Sequence, residues 1–297
     1  MYKDFLDRIP ATWGISDVFP LHPYFRPFAS LIAVMRTLIL VCLCYDLVEG
    51  GHPVKPQPPN KPPSSYKEKL VEYGAENGTV LEGFLVYPKG LIKCLLKTEF
   101  IRSYDKRPKA APAVIVFHAF TGRTEFDNQK ARDLAKLGYV AFAADVYGKG
   151  VASNDTNENF ALMGQMLAER TTTLQKRVRE AWKLVKNLPF VNNQKIGCIG
   201  FCFGGLTCLD LARAIGASIQ AHHGDADPHT TNENAADFLE EMRERQADWH
   251  FTSYGGAEHA FTLPGVENLG IPGAAYNEKA DKRSWRAMQG FLAEKLL

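Results

Sequence analysis

Three side chains in this sequence have the types and order needed for covalent acyl transfer: Cys202, Asp227 and His259. Cys202 stands at the centre of Gly200-Phe201-Cys202-Phe203-Gly204-Gly205. Lys195 to Ile199 before it reads as a short buried strand, and Leu206 to Ile215 after it reads as a helix with leucines at 206, 209 and 211. A small-x-nucleophile-x-small-small turn between strand and helix is a nucleophile elbow, which lifts the central side chain over the sheet edge. Glycines permit the tight turn and the close approach of helix to strand. A thiol at the start of a helix is favoured as thiolate by the amide groups and dipole there. The plainer reading is a glycine-rich turn whose cysteine only packs. A thiol nucleophile also needs a base, and the base needs an orienting group. Asp227 and His259 follow the cysteine in the order nucleophile, acid, histidine, each in a glycine-bearing loop after an expected strand.

Each role has rivals. Asp225 competes with Asp227, and either can cap the helix that follows. His222 and His223 close a strand, where a histidine more often bonds to backbone; His229 has no placed partner, and His118 ends a central strand near the site without being the base. His222, His223 and His229 beside two aspartates invite a metal reading, but their spacing fits no common zinc pattern. Cys42 and Cys44 lack a second pair for a metal site. The oxyanion of acyl transfer needs two N–H donors. Phe203, next after the nucleophile, supplies the first; the second falls to Phe120, with Thr121 next in line.

The elements that must position these residues belong to one large domain with an N-terminal extension. The chain has 297 residues, 45% hydrophobic and 23% charged, with a formal charge of +2 and no basic stripe, which argues against nucleic acid as the main partner. Six cysteines are too sparse for a disulfide scaffold. Residues 1–65 read as a signal- or anchor-like or disordered extension. Its apolar run Thr37 to Tyr45 is far short of the ~20 residues that span a bilayer. The run has the length of a signal-peptide core, but 34 residues precede Met35, so the expectation is a cytoplasmic protein, exported if translation starts at Met35; an anchor or an amphipathic helix is an alternative. Gly50 to Ser65 carries prolines at 53, 56, 58, 59, 62 and 63 and reads as a stiff linker. Residues 66–297 are the expected folded unit.

Within it, Val80 to Tyr87 reads as an edge strand, and residues 90–109 as an insertion. Ala113 to His118 and Tyr139 to Ala144 are compact apolar runs suited to buried parallel strands, with the helical period of Asn128 to Leu137 between them. Gly148 to Glu158 reads as a loop, Phe160 to Leu188 as one broken helix or two. Strands at Ala217–His222 and His250–Tyr254 and helices at Glu233–Gln246 and Asn277–Leu296 complete a doubly wound α/β unit.

Gly200–Gly205 combined with Tyr254-Gly255-Gly256-Ala257-Glu258-His259-Ala260-Phe261 resembles the dienelactone hydrolase family; Pro112–Gly148, Ile196–Arg213 and His223–Asp227 carry the likeness further. The resemblance implies an α/β-hydrolase fold over about 75–292 and a Cys–His–Asp triad on Cys202, His259 and Asp227. It further implies hydrolysis of small lactones or esters with no cofactor or metal, by a monomer or homodimer without a membrane span. Three departures stand out. The glutamate that meets the resting thiol in well-understood members is replaced by Ala119, and no arginine follows His259, which argues against a dicarboxylate lactone as substrate. Ile219-Gln220-Ala221 also runs straight into His222-His223-Gly224, so a strand and its connection between nucleophile and acid are missing, and the sheet is expected to lack one strand. The alternative reading is a catalytically weak variant of the fold, from a splice form or gene model, with a binding role.

Overall fold

A computed structural model describes residues 39–43 (as backbone), 65–76, 78–89, 91 and 110–297. The insertion expected at 90–109 therefore lies, Leu91 apart, outside the described residues. One eight-stranded sheet organises the chain. Its strands are β1 (Ile39–Leu43), β2 (Tyr66–Glu76), β3 (Thr79–Pro88), β4 (Ala111–Phe117), β5 (Val140–Ala144), β6 (Val191–Gly200), β7 (Ser218–Gly224) and β8 (Trp249–Tyr254), in spatial order β2-β3-β5-β4-β6-β1-β7-β8. β4 runs parallel to β5 and β6, and β7 parallel to β8. The helices are α1 (Glu125–Lys136), α2 (Thr156–Ala168), α3 (Gln175–Lys186), α4 (Phe203–Ile215), α5 (Asn232–Glu244) and α6 (Glu278–Leu296).

Alternation along the strands feeds two cores. On one face Ile115, Phe117 and Phe142 pack with Val178, Leu209 and Phe238 from α3, α4 and α5. On the other, Val114, Val116 and Ala141 pack with Leu134 of α1 and Phe291 and Leu292 of α6. β4 is thus buried on both faces, which its unbroken apolar run requires.

The mostly parallel α/β sheet matches the sequence reading, and three details differ. Val80–Tyr87 falls within β3, which is not the edge: β2 pairs outside it, antiparallel from Tyr66 to Glu76. The loop expected to reach Glu158 ends earlier, because the Asp155 carboxylate accepts the Asn157 and Glu158 amides at 2.8 and 2.9 Å and starts α2. The stretch expected as one broken helix or two is divided as expected, by a π-helical turn at Arg170–Leu174 tied down by the buried Arg170, which donates to both oxygens of Asp210 in α4. Cys198 and Cys208 form a disulfide, which the low cysteine count did not anticipate.

The largest difference concerns the missing strand. No strand intervenes between α4 and β7: Gly216, left-handed at φ 66°, and Ala217 join them directly. The vacated place in the sheet is filled from elsewhere. β1 lies between β6 and β7, antiparallel to both, with Val41 opposite Ile199 on one side and Gln220 on the other. Ile39–Leu43, read from sequence as part of an extension and as signal, anchor or amphipathic helix, is a central strand. Among the described residues no helix is long and apolar enough to cross a membrane.

Candidate active site

Cys202 sits at the junction of β6 and α4 with φ 57° and ψ −124°, a region a side-chain-bearing residue rarely occupies. Two glycines make that geometry attainable. A Cβ on Gly200 would lie 1.9 Å from the Gly204 carbonyl oxygen, and one on Gly204 would lie 2.1 Å from that of Phe117. Helix and strand touch backbone to backbone here, and only hydrogen fits. The Cys198–Cys208 disulfide brackets the elbow, and Cys202, half-buried, lies outside any disulfide.

Asp227 lies three residues beyond β7. Its Oδ1 accepts the His229 and Thr230 amides at 2.7 and 3.0 Å, which leaves Oδ2 to accept from His259 Nδ1 at 3.1 Å. Asp225, the rival acid, is exposed. His259 follows β8 and is clamped through its backbone: its amide donates to Gly273 and its carbonyl accepts from Ala275, both at 3.1 Å. The same imidazole is hydrogen-bonded to Cys202. Burial opposes a charge on this ring, but the Cys202 sulfur and Asp227 outweigh it and lift His259 to about 10. Thiol, imidazole and carboxylate thus form one hydrogen-bonded line.

The other histidines are engaged differently. His118 donates from Nδ1 to the Ala119 carbonyl at 2.6 Å and accepts the Val146 amide at Nε2, 3.2 Å, so both ring nitrogens serve backbone. The His229 ring meets that of His259 edge-on at 4.9 Å, with Nε2 2.8 Å from the Pro272 carbonyl. His222 Nδ1 lies 2.9 Å from the Tyr254 hydroxyl, and burial lowers this histidine to about 4. His223 packs against Phe251. Phe203 opens α4, its ring against His118 and Tyr147. Phe120 is buried with its ring stacked 4.4 Å from Phe160, and its carbonyl accepts the Tyr147 hydroxyl at 2.9 Å.

Cys202 opens into a narrow pocket that is partly open to solvent. Ala119, Phe126, Phe201, Phe261 and Leu263 give it apolar walls; among the described lining residues none is a lysine or arginine, and the Lys130 ammonium lies 5.0 and 5.7 Å from the Phe126 and Phe201 ring centres. Several lining residues carried no sequence signal of function: Phe126 and Phe201, in edge-to-face contact at 5.1 Å, Thr124 and Asp127 at the start of α1, and Thr262 beyond the histidine. They become neighbours only when loops after β4, β6 and β8 converge.

This geometry agrees with comparisons against known proteins. The model of the Dienelactone hydrolase family matches residues 101–216 and 208–296. The chain belongs to the dienelactone hydrolase family. The match comes in two pieces that meet within α4, beside the short connection to β7. The Caenorhabditis elegans protein K02A2.1 is 38% identical over 155 residues, 43% of this chain and 98% of its own. Among solved structures, the dienelactone hydrolase-like promiscuous phosphotriesterase P91 from metagenomic libraries superposes with a TM-score of 0.69 at 28% identity, covering 79% of this chain and all of that one. A structure named m3DLH gives 0.67 at 28% identity over 78% of this chain and 99% of its own. Within the family the chain is a small-molecule ester or lactone hydrolase with a cysteine nucleophile.

Proposed function

We propose that the protein cleaves small carboxylic esters or lactones through a thioacyl-enzyme. The observation that carries this reading is the line Cys202–His259–Asp227 at a strained elbow facing a pocket. The Cys202 sulfur attacks the carbonyl carbon, and the carbonyl π pair moves to oxygen. The Phe203 amide, first in α4, and the Phe120 amide after β4 are the donors for that oxyanion. Collapse expels the alkoxide, which takes the proton held on His259. A water molecule then gives a proton to His259 and its oxygen to the thioester carbon, and the acid leaves as the thiol is restored. Asp227, fixed by two backbone amides, keeps the imidazole oriented throughout. The apolar walls support neutral acyl groups over dicarboxylates.

Rapid mixing with 4-nitrophenyl acetate tests the reading. One equivalent of 4-nitrophenol per active chain is expected in a burst, followed by slower turnover. Cys202→Ala abolishes the burst, and Cys202→Ser retains about 1% or less of the acylation rate, because a hydroxyl is far less ionised than a thiol. Equal turnover by wild type and Cys202→Ala would sink the proposal.

A further inference from the structure

The two peptide groups that flank Phe120 are each gripped by a buried ring. On the N-terminal side, the Ala119 carbonyl accepts from His118 Nδ1 at 2.6 Å and from the Gly122 amide at 3.3 Å. On the C-terminal side, the Phe120 carbonyl accepts the Tyr147 hydroxyl at 2.9 Å. His118 and Tyr147 meet edge to face at 4.7 Å, and both rings lie against Phe203, the residue after the nucleophile, at 6.2 and 5.9 Å. They are 1% and 4% exposed, so their polar atoms must be satisfied inside the protein, and these bonds do that.

The tautomer of His118 follows from its other nitrogen. The Val146 amide donates to Nε2 at 3.2 Å, which leaves the ring proton on Nδ1 to donate to Ala119. Asp145 lies 4.0 Å from Nε2, and its oxygens are taken by the Glu82, Tyr147 and Gly148 amides. The peptide joining Ala119 to Phe120 is trans, so its C=O and N–H point in opposite directions. Holding the Ala119 carbonyl at His118 therefore sends the Phe120 N–H away from that ring.

We propose that His118 and Tyr147 are positioning residues for the oxyanion site. By fixing the carbonyls on either side of Phe120 they aim its N–H, and by packing on Phe203 they keep the two donor residues in register. This rests on the reading of the Phe120 and Phe203 amides as the oxyanion donors. Neither side chain touches the reacting atoms; each acts through the backbone it holds. Donors fixed in direction before charge develops stabilise an oxyanion without reorganising, which is what the paired grip supplies.

The test sets a reaction that builds an oxyanion against one that does not. Acylation is read from the 4-nitrophenyl acetate burst. Methyl methanethiosulfonate, from which the Cys202 sulfur displaces methanesulfinate without any carbonyl, is read from the mass of the Cys202 peptide. Two substitutions divide the roles of His118. In His118→Asn the amide nitrogen stands near the place of Nδ1 and keeps the Ala119 bond; in His118→Gln the longer side chain reaches the Val146 amide and that bond is lost. Acylation is expected within about 3-fold of wild type in His118→Asn and at least about 10-fold slower in His118→Gln, short of the roughly 10²–10³-fold that loss of a whole donor brings. Tyr147→Phe keeps the ring, and acylation is expected to slow by about 3-fold or more. In all these variants the methanethiosulfonate rate stays within about 2-fold of wild type, since the thiol and its base are untouched. A purely structural role slows both reactions together, or slows His118→Asn as much as His118→Gln, and overturns the proposal. Wild-type acylation in Tyr147→Phe and His118→Gln overturns it while the hydrolase reading stands; a wild type without a burst overturns both. Where His118→Gln does not fold, the two rates in Tyr147→Phe and His118→Asn decide.

Discussion

His259 shows how burial and two neighbours set one proton. Burial works against the imidazolium, and the sulfur of Cys202 with the carboxylate of Asp227 reverses that, leaving a ring that stays charged up to about 10. The expected consequence is directional. Acylation draws on the imidazolium proton for the departing alkoxide, so kcat/KM declines as pH rises through about 10. A ring-resonance titration by NMR should place His259 well above the ordinary 6.5, and lower in both Cys202→Ala and Asp227→Asn. A His259 titrating at 6.5 in wild type would contradict the pairing. The three side chains of the proposed triad were legible in the sequence because each sits at a recognisable place: the elbow apex, the loop after the next strand, and the Gly-Gly-Ala-Glu-His turn. Preferring Asp227 to Asp225 rested on family likeness and chain order; the structure adds the reason, since backbone amides grip one and water surrounds the other. Asp127 was not legible as a pocket residue. In sequence it is an ordinary acidic residue in the first turn of a helix, and only the fold brings it to the pocket wall.

Among the elements, β1 is the one that sequence patterning misassigned. A nine-residue apolar run flanked by polar residues suits a signal core, an amphipathic helix or a buried strand equally well, and length alone does not separate them. What decides is the sheet: with no strand between α4 and β7, two parallel neighbours are left with unpaired edges, and a short apolar segment satisfies both. β2 escaped for the opposite reason. Tyr66-Lys67-Glu68-Lys69-Leu70 is charged because it forms the outer edge, where charge discourages further pairing. Because β1 is bonded on both sides, Val41→Pro removes a ladder donor in mid-sheet and is expected to cost about 3 kcal/mol or more, read as a lower midpoint in urea. A proline at Lys55, already among prolines, is the control and should leave the midpoint within error. Equal midpoints for the two variants would show that β1 contributes nothing to the folded state.

For the molecule as a whole, the two-faced sheet with buried histidines on β7 predicts sensitivity to mild acid. His222 is held near 4 in the folded chain by burial and returns to about 6.5 when unfolded. Between those values the unfolded chain binds the extra proton, so stability falls as pH drops from about 6.5 to about 4, by on the order of 3 kcal/mol for this residue. Denaturation midpoints measured over that range should flatten in His222→Gln, which keeps an amide for Tyr254 and does not titrate. A parallel pH profile in wild type and variant would exclude His222 as the cause. The position of β1 bears also on time. Of the eight strands β1 is made first, yet its two partners follow only after β2, β3, β4 and β5. It must wait beside a growing half-sheet, and the long loop it finally closes delays native pairing. Until then β6 and β7 present a vacant, strand-shaped opening that the same segment of another nascent chain fits equally well. The yield of active enzyme is therefore a race between closure within one chain and exchange between two, and it should fall as synthesis becomes more crowded.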